Sequence, residues 1–324
     1  LDADTGEMLG LAAGRVWTRD AQDAPARHKR ALRDKESGRW LAEGQAAKTV
    51  LAAASHVTLI ADRESDIYEE WARLPSHSGG LPGQGPDLGP DFELITRARF
   101  DRKLDDGGTL FAAASHWPEA GRKDIGIVAR KDRTERTATL VLRFGAVTIR
   151  KPEDCLAKDV PHTLTLRLVE VEEIGVPEDV EPVHWRLLTT YCIGGAQEAW
   201  DIVELYRRRW RIEEYFRVLK RSGMDLEGAQ IEGRHALLNM VAMGAVAGVP
   251  IMQLVEGRDA GPERHAGEVI PPDMLLFAAA LGATLEGKTA KQRNPHVKET
   301  LAWLAWIVAR LGGWSGYQRY GPPG

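Results

Sequence analysis

Seven basic side chains stand between positions 206 and 221: Arg207, Arg208, Arg209, Arg211, Arg217, Lys220 and Arg221. Only Glu213 and Glu214 oppose them, a local charge of +5 in a chain whose formal net charge is −4. Such a cluster is the electrostatic footprint of a phosphate-bearing partner, whatever the total charge. On one continuous helix advancing about 100° per residue, with Tyr206 at 0°, Arg209 falls near ~300°, Lys220 near ~320° and Glu213 near ~340°. A tyrosine, two cations and a carboxylate then share one edge of an apolar stripe made by Leu205, Ile212, Phe216 and Leu219. Charges interact more strongly in such a half-shielded position than in open water. The same spacing also suits an exposed helix carrying Glu–Arg pairs at i,i+4.

The second candidate is Asp62, directly after the apolar run 57–61. In open α/β sheets functional groups gather at the carboxyl ends of strands, although a loop-starting Asp also bonds nearby backbone. Taken together, Asp62 and Glu213 are two carboxylates that could converge on a divalent cation such as magnesium, which takes a few carboxylates plus water and phosphate oxygens. Two such ions about 4 Å apart activate the attacking oxygen and stabilise the leaving oxygen in phosphoryl transfer. Arg209 and Lys220 would then hold the phosphates. His28, His56, His184 and His265 have no metal-ligand spacing.

The elements that must position these groups follow from pattern. Residues 1–19 read as a hairpin around Asp4-Thr5-Gly6, with a strand from 8 to 17. A helix is expected over 34–54 and a buried strand over 57–61. Asp66 with Glu69 reads as a capping box opening a helix to 74. The Gly/Pro/Ser-rich stretch 75–90 reads as a mobile loop and domain boundary. Alternation over 92–99, 124–130, 137–150, 162–172 and 185–190 predicts antiparallel strands. Helices are expected over 197–221, 235–255, 271–281 and 297–311. The expected class is α/β, with a first core part over 1–90, an inserted antiparallel β domain over 91–195, a helical part completing the core over 196–256, and a C-terminal helical region over 257–324.

Composition narrows the classes. The chain has 324 residues, 43% hydrophobic and 28% charged, as globular proteins do. Its two cysteines, Cys155 and Cys192, form no CxxC pair, which argues against a disulfide framework or structural zinc and for a reducing cytosol. No signal peptide is expected, and the apolar run 236–255 reads as a buried core helix rather than a membrane span. The chain starts at Leu1 and ends on Gly-Pro-Pro-Gly, so both ends read as cuts within a longer protein.

The stretch from Tyr206 through Arg209 and Glu213 to Lys220 has the spacing Y-x2-R-x3-E-x6-K. It resembles the signature of bacterial insertion-sequence-four-type transposases, the hairpin-forming cut-and-paste enzymes. The segment Ile60-Ala-Asp62-Arg-Glu-Ser-Asp66-Ile resembles that family's second catalytic aspartate motif. Lys35-Glu-Ser-Gly38-Arg-Trp40-Leu and Ala309-Arg-Leu-Gly-Gly313 also look like the family, so the resemblance covers essentially the whole chain. It implies a ribonuclease-H-like catalytic core with the β domain inserted before the last catalytic helix. It implies a site of Asp, Asp and Glu holding Mg2+ or Mn2+, with Asp62 and Glu213 as second and third members. Tyr206, Arg209 and Lys220, with Trp210 beside them, match residues that grip DNA; Trp185 matches a tryptophan on which a flipped base stacks, and also suits a core position. Arg97 matches another DNA contact. The implied partners are double-stranded DNA at transposon ends and target and a second copy in a synaptic homodimer, with no membrane, in the bacterial cytoplasm at the nucleoid. The family's first aspartate lies on a strand before the opening hairpin; neither Asp2 nor Asp4 is assigned to it. The fragment is therefore expected to be inactive or severely impaired. Two rival readings are a non-catalytic DNA-binding or assembly fragment of a transposase, and another metal-dependent nuclease on the same fold. A third, a soluble helical–β protein with no nucleic-acid role, is disfavoured by the +5 segment.

Overall fold

The computed structural model describes residues 1–16, 30–77, 89–127, 135–220, 225–226, 228–258 and 264–316. The chain forms two compact units, one of residues 12–209 and one of residues 1–11 with 210–324.

The first unit is built on one six-stranded sheet. In chain order it contains α1 (Gly38–Val50), β1 (His56–Ala61), α2 (Tyr68–Arg73), β2 (Asp91–Arg97), α3 (Leu110–His116), β3 (Gly121–Ile127), β4 (Arg136–Arg150), β5 (Thr163–Ile174), β6 (His184–Thr189) and α4 (Ala196–Arg207). The strands lie in the order β1-β2-β6-β5-β4-β3. β1 and β2 are parallel, with Ala61 level with Thr96. Every other pairing is antiparallel. The strands expected as an insertion, β2 to β6, thus continue the same sheet as β1. The expected strands at 57–61, 92–99, 124–130, 137–150, 162–172 and 185–190 are all present with shifted ends; residues 128–130 fall outside the described part. Helix α3 leaves no mark in the sequence pattern, because seven residues are too short to show a 3.6-residue period.

Alternation along the strands sends side chains to two cores, one on each face. One holds Tyr68, Trp71, Phe92, Leu94, Leu110, Ile149 and Leu168, covered by α2 and α3. The other holds Ile95, Leu140, Val169, Leu187, Trp200, Val203 and Tyr206, covered by α4. The capping box expected at Asp66 does not form. Helix α2 begins at Tyr68 with Ile67 as its uncapped N-terminal residue. The Asp66 carboxylate instead accepts from the amides of Arg99 (2.6 Å) and Phe100 (3.0 Å) and from Arg102 Nε (2.9 Å). Three donors, one of them charged, outbid a single helix amide.

The second unit is helical: α5 (Trp210–Lys220), α6 (Arg234–Arg258), α7 (Pro272–Leu285) and α8 (Leu301–Leu311). The expected hairpin over 1–19 is absent from the described residues 1–16, which carry no strand; 17–19 lie outside them. The Asp2–Gly6 turn is present, and Asp2 Oδ1 is engaged by the amides of Asp4 (2.9 Å) and Thr5 (2.7 Å). Met8 has no strand partner because α6 side chains satisfy it. Gln253 Nε2 donates to its carbonyl (2.9 Å) and its amide donates to Glu256 (3.1 Å).

Helix α6 is not the buried core helix expected. It buries Gly244, Gly248, Met252, Gln253 and Gly257, while Met243 and Val246 are both 72% exposed. Its buried side is narrow because small residues admit large neighbours: a Cβ on Gly248 would stand 2.9 Å from the Tyr215 ring and 3.1 Å from Leu219. By length and composition alone α6 could also cross a membrane.

Candidate functional site

The parallel register of β1 and β2 decides the first neighbours. With Ala61 opposite Thr96, the next residues, Asp62 and Arg97, emerge side by side at the carboxyl end of the sheet. β6 runs the other way, so its start comes to the same end: Arg97 Nη2 donates to the His184 carbonyl (2.9 Å), one residue before Trp185. Helix α4 lies against this region, and Tyr206, near its last turn, meets Trp185 edge-on at 5.4 Å and 66°. The chain then turns, with the amides of Arg208 and Arg209 bonding three residues back, and Arg209 Nη1 reaches 4.0 Å from Asp62 Oδ2.

Asp62 itself caps a short 3-10 turn, Arg63–Ser65, its Oδ1 accepting from the Glu64 amide at 2.8 Å. Its side chain is 40% exposed. Tyr206 is buried, and burial raises its hydroxyl above the ordinary value while the Arg97 and Arg209 guanidiniums against it pull the other way. It therefore stays a neutral donor near pH 7. Arg97 is lowered, first by burial and then by the neighbouring positive charge of Arg63, with Tyr206 opposing and Arg209 adding to the effect. Arg63 is exposed and belongs to this cluster; sequence reasoning missed it, although it directly follows Asp62. Arg63, Arg97 and Arg209 set three guanidiniums near one another, with Arg209 4.0 Å from the Asp62 carboxylate. Like charges in a half-buried place are relieved by an anion, and a guanidinium fork matches phosphate oxygens.

Five of the candidate residues, Asp62, Arg97, Trp185, Tyr206 and Arg209, thus meet within one unit, and Trp210, Glu213 and Lys220 belong to the other. The single helix expected over 197–221 is broken between Arg207 and Trp210. The wheel drawn from Tyr206 therefore does not carry across to Glu213. Within α5, Glu213 and Lys220 still share an exposed side, seven residues apart. The buried side of α5 is Tyr215 and Leu219, packed with Met8 and Met252, whereas Ile212 and Phe216 of the expected stripe are exposed. Tyr215 wins the interior because its hydroxyl donates to the Ala245 carbonyl at 2.7 Å and its ring fits over Gly248. Trp210 is 41% exposed.

Among the described residues, no three His, Cys, Asp or Glu side chains gather into a ready-made metal cage. Magnesium does not require one, since one or two carboxylates with water and phosphate oxygens suffice. Asp62 and Glu213 each present an accessible carboxylate of that kind.

The family model for a transposase DDE domain matches residues 94–247, just under half of the chain. The matched span contains Arg97, Trp185, Tyr206, Arg209, Trp210, Glu213 and Lys220, and it begins after Asp62. The match supports a DDE transposase, and the mixed α/β sheet is compatible with a ribonuclease-H-like domain.

Proposed function

We propose that this chain is the catalytic part of a cut-and-paste DNA transposase of the insertion-sequence-four type. The observation that carries the reading is the meeting of Asp62, Arg97, Tyr206 and Arg209 at one end of the sheet. Arg97 and Arg209 bind the DNA backbone on either side of the Tyr206 hydroxyl, which donates to a phosphate oxygen. Arg63 adds charge at the rim. Trp185, partly buried against Tyr206, offers a ring on which an extrahelical base stacks. Lys220, with Trp210 at the start of α5, contributes further DNA contacts.

Asp62 and Glu213 would hold Mg2+ or Mn2+, which when bound supplies charge neutralisation at the scissile phosphate and activates the attacking oxygen. Water attacks the phosphodiester at the transposon end and frees a 3′-hydroxyl. That hydroxyl attacks the opposite strand and closes a hairpin, which water reopens, and the same hydroxyl then joins target DNA. Each step is an in-line displacement at phosphorus, so one set of phosphate-gripping residues serves all of them. We read residues 91–195 as the insertion of the ribonuclease-H-like core, and the working form as a homodimer on paired DNA ends in the bacterial cytoplasm.

The test uses this protein, supercoiled plasmid, and Mg2+ or Mn2+. Nicked and linear products are expected. Asp62→Asn and Glu213→Gln should each lower cleavage by more than the roughly 100-fold that loss of an outer-shell partner costs, with affinity for a double-stranded oligonucleotide retained. Cleavage that survives either change overturns the site. DNA binding without any cleavage in the unaltered protein favours an assembly module instead, a reading that the cluster of Arg63, Arg97 and Arg209 would also serve.

A further inference from the structure

The segment Lys35-Glu-Ser-Gly38-Arg-Trp40 has no part in the phosphate-gripping cluster, yet it reaches the turn that carries Asp62. We propose that Arg39 is a positioning residue for Asp62, bracing the free side of that turn through Glu64. The inference rests on reading Asp62 as a site carboxylate.

The turn is short and closed on itself. The Ser65 amide donates to the Asp62 carbonyl (3.2 Å) and the Glu64 amide to Asp62 Oδ1 (2.8 Å). The direction of the Asp62 carboxylate is therefore tied to where the Glu64 amide points. Three sides of the turn are fixed by the interior. β1 enters from the sheet, the buried Ser65 hydroxyl donates to Glu70 (2.7 Å), and buried Asp66 is locked to Arg102 and two loop amides. Glu64 is the exposed exception, with 59% of its side chain accessible.

Arg39 closes that side. Its Nη2 donates to Glu64 Oε2 at 2.6 Å, and its Nη1 donates to the Glu36 carbonyl (3.2 Å) and pairs with the Glu36 carboxylate (3.4 Å). The guanidinium lies against the Trp40 ring at 5.7 Å. Its start on α1 is set by Gly38, where a Cβ would stand 2.3 Å from the Leu32 carbonyl oxygen, so only glycine lets α1 begin against the preceding turn. Arg39 is held at one end and grips Glu64 with the other.

An exposed pair of this kind contributes little to global stability. A brace and a fold-stabilising contact are thus separable. The test compares Arg39→Ala, Arg39→Lys, Glu64→Gln and the double Arg39→Ala/Glu64→Gln with the unaltered protein. The first readout is amide exchange of the peptide spanning residues 60–67 by mass spectrometry. Severalfold faster exchange is expected in Arg39→Ala at an unchanged melting temperature, with Arg39→Lys restoring most of the protection. The second readout is plasmid cleavage, where kcat should fall about 10-fold at constant KM for DNA. The double variant should be no worse than either single one, as for two residues acting through one contact. Unchanged exchange in Arg39→Ala overturns the brace, whatever happens to cleavage. If exchange responds but the unaltered protein cuts no DNA, the transposase reading fails and the brace stands.

Discussion

Glu70 gives the sharpest quantitative prediction. It sits in α2 with no exposed surface, accepting one hydrogen bond from Ser65, and its Oε1 has no hydrogen-bond partner. Burial pushes its carboxyl up from 4.5 to about 8, with Ser65 opposing and the nearby Asp66 charge adding to the rise. A carboxyl raised in this sense binds its proton more tightly in the folded state. Stability is complete below the unfolded value, falls as pH climbs from about 4.5 to about 8, and is level above that. At about 1.4 kcal/mol per unit the loss across that window is roughly 5 kcal/mol. Glu70→Gln cannot ionise and keeps an acceptor for Ser65, but it buries an amide at a cost of about 1–3 kcal/mol. The variant should therefore be less stable than the parent below pH 5 and more stable above pH 8, with the curves crossing between about pH 5 and 7. For a unit of this size each kcal/mol moves the melting temperature by about 2–4 °C, so the gap above pH 8 should be on the order of 10 °C. The assay is calorimetry of both proteins from pH 4.5 to 9. Because all other groups cancel in the comparison, parallel profiles would refute the buried, protonated Glu70 and the packing that produces it.

Three further outcomes follow from the same geometry. Arg97→Ala should weaken binding to any double-stranded oligonucleotide and reduce the slope of log affinity against log salt by about 1; an unchanged slope would remove Arg97 from the DNA contacts. Arg102→Met leaves Asp66 buried with only backbone donors, so urea unfolding should show a loss of about 3–5 kcal/mol, and Arg102→Met with Asp66→Leu should recover part of it. Gly248→Ala places a methyl 2.9 Å from Tyr215 and 3.1 Å from Leu219, and thermal melting should report about 1–3 kcal/mol of destabilisation in the helical unit.

Much of this molecule was legible from neighbours in the chain. The apolar β-branched run 57–61 had to be a strand and Asp62 had to leave its end, because both depend only on local pattern. The same holds for the six strands as elements and for the placement of Glu213 and Lys220 on one side of α5. What the tertiary structure alone decided are contacts between distant positions. The parallel register of β1 with β2 puts Arg97 beside Asp62, and no local property of residues 91–97 specifies that partner. Asp66 looked like a helix cap and became a buried anchor, because Arg102 lies 36 residues away and outcompetes the local amide. The break after Arg207 runs against helix propensity, since arginine is a strong helix former. Tyr206 is anchored on the sheet by Trp185, while Tyr215 is anchored in the helical unit over Gly248. Propensity is worth tenths of a kcal/mol per residue and buried aromatic packing several, so where the two disagree the packing sets the course of the chain.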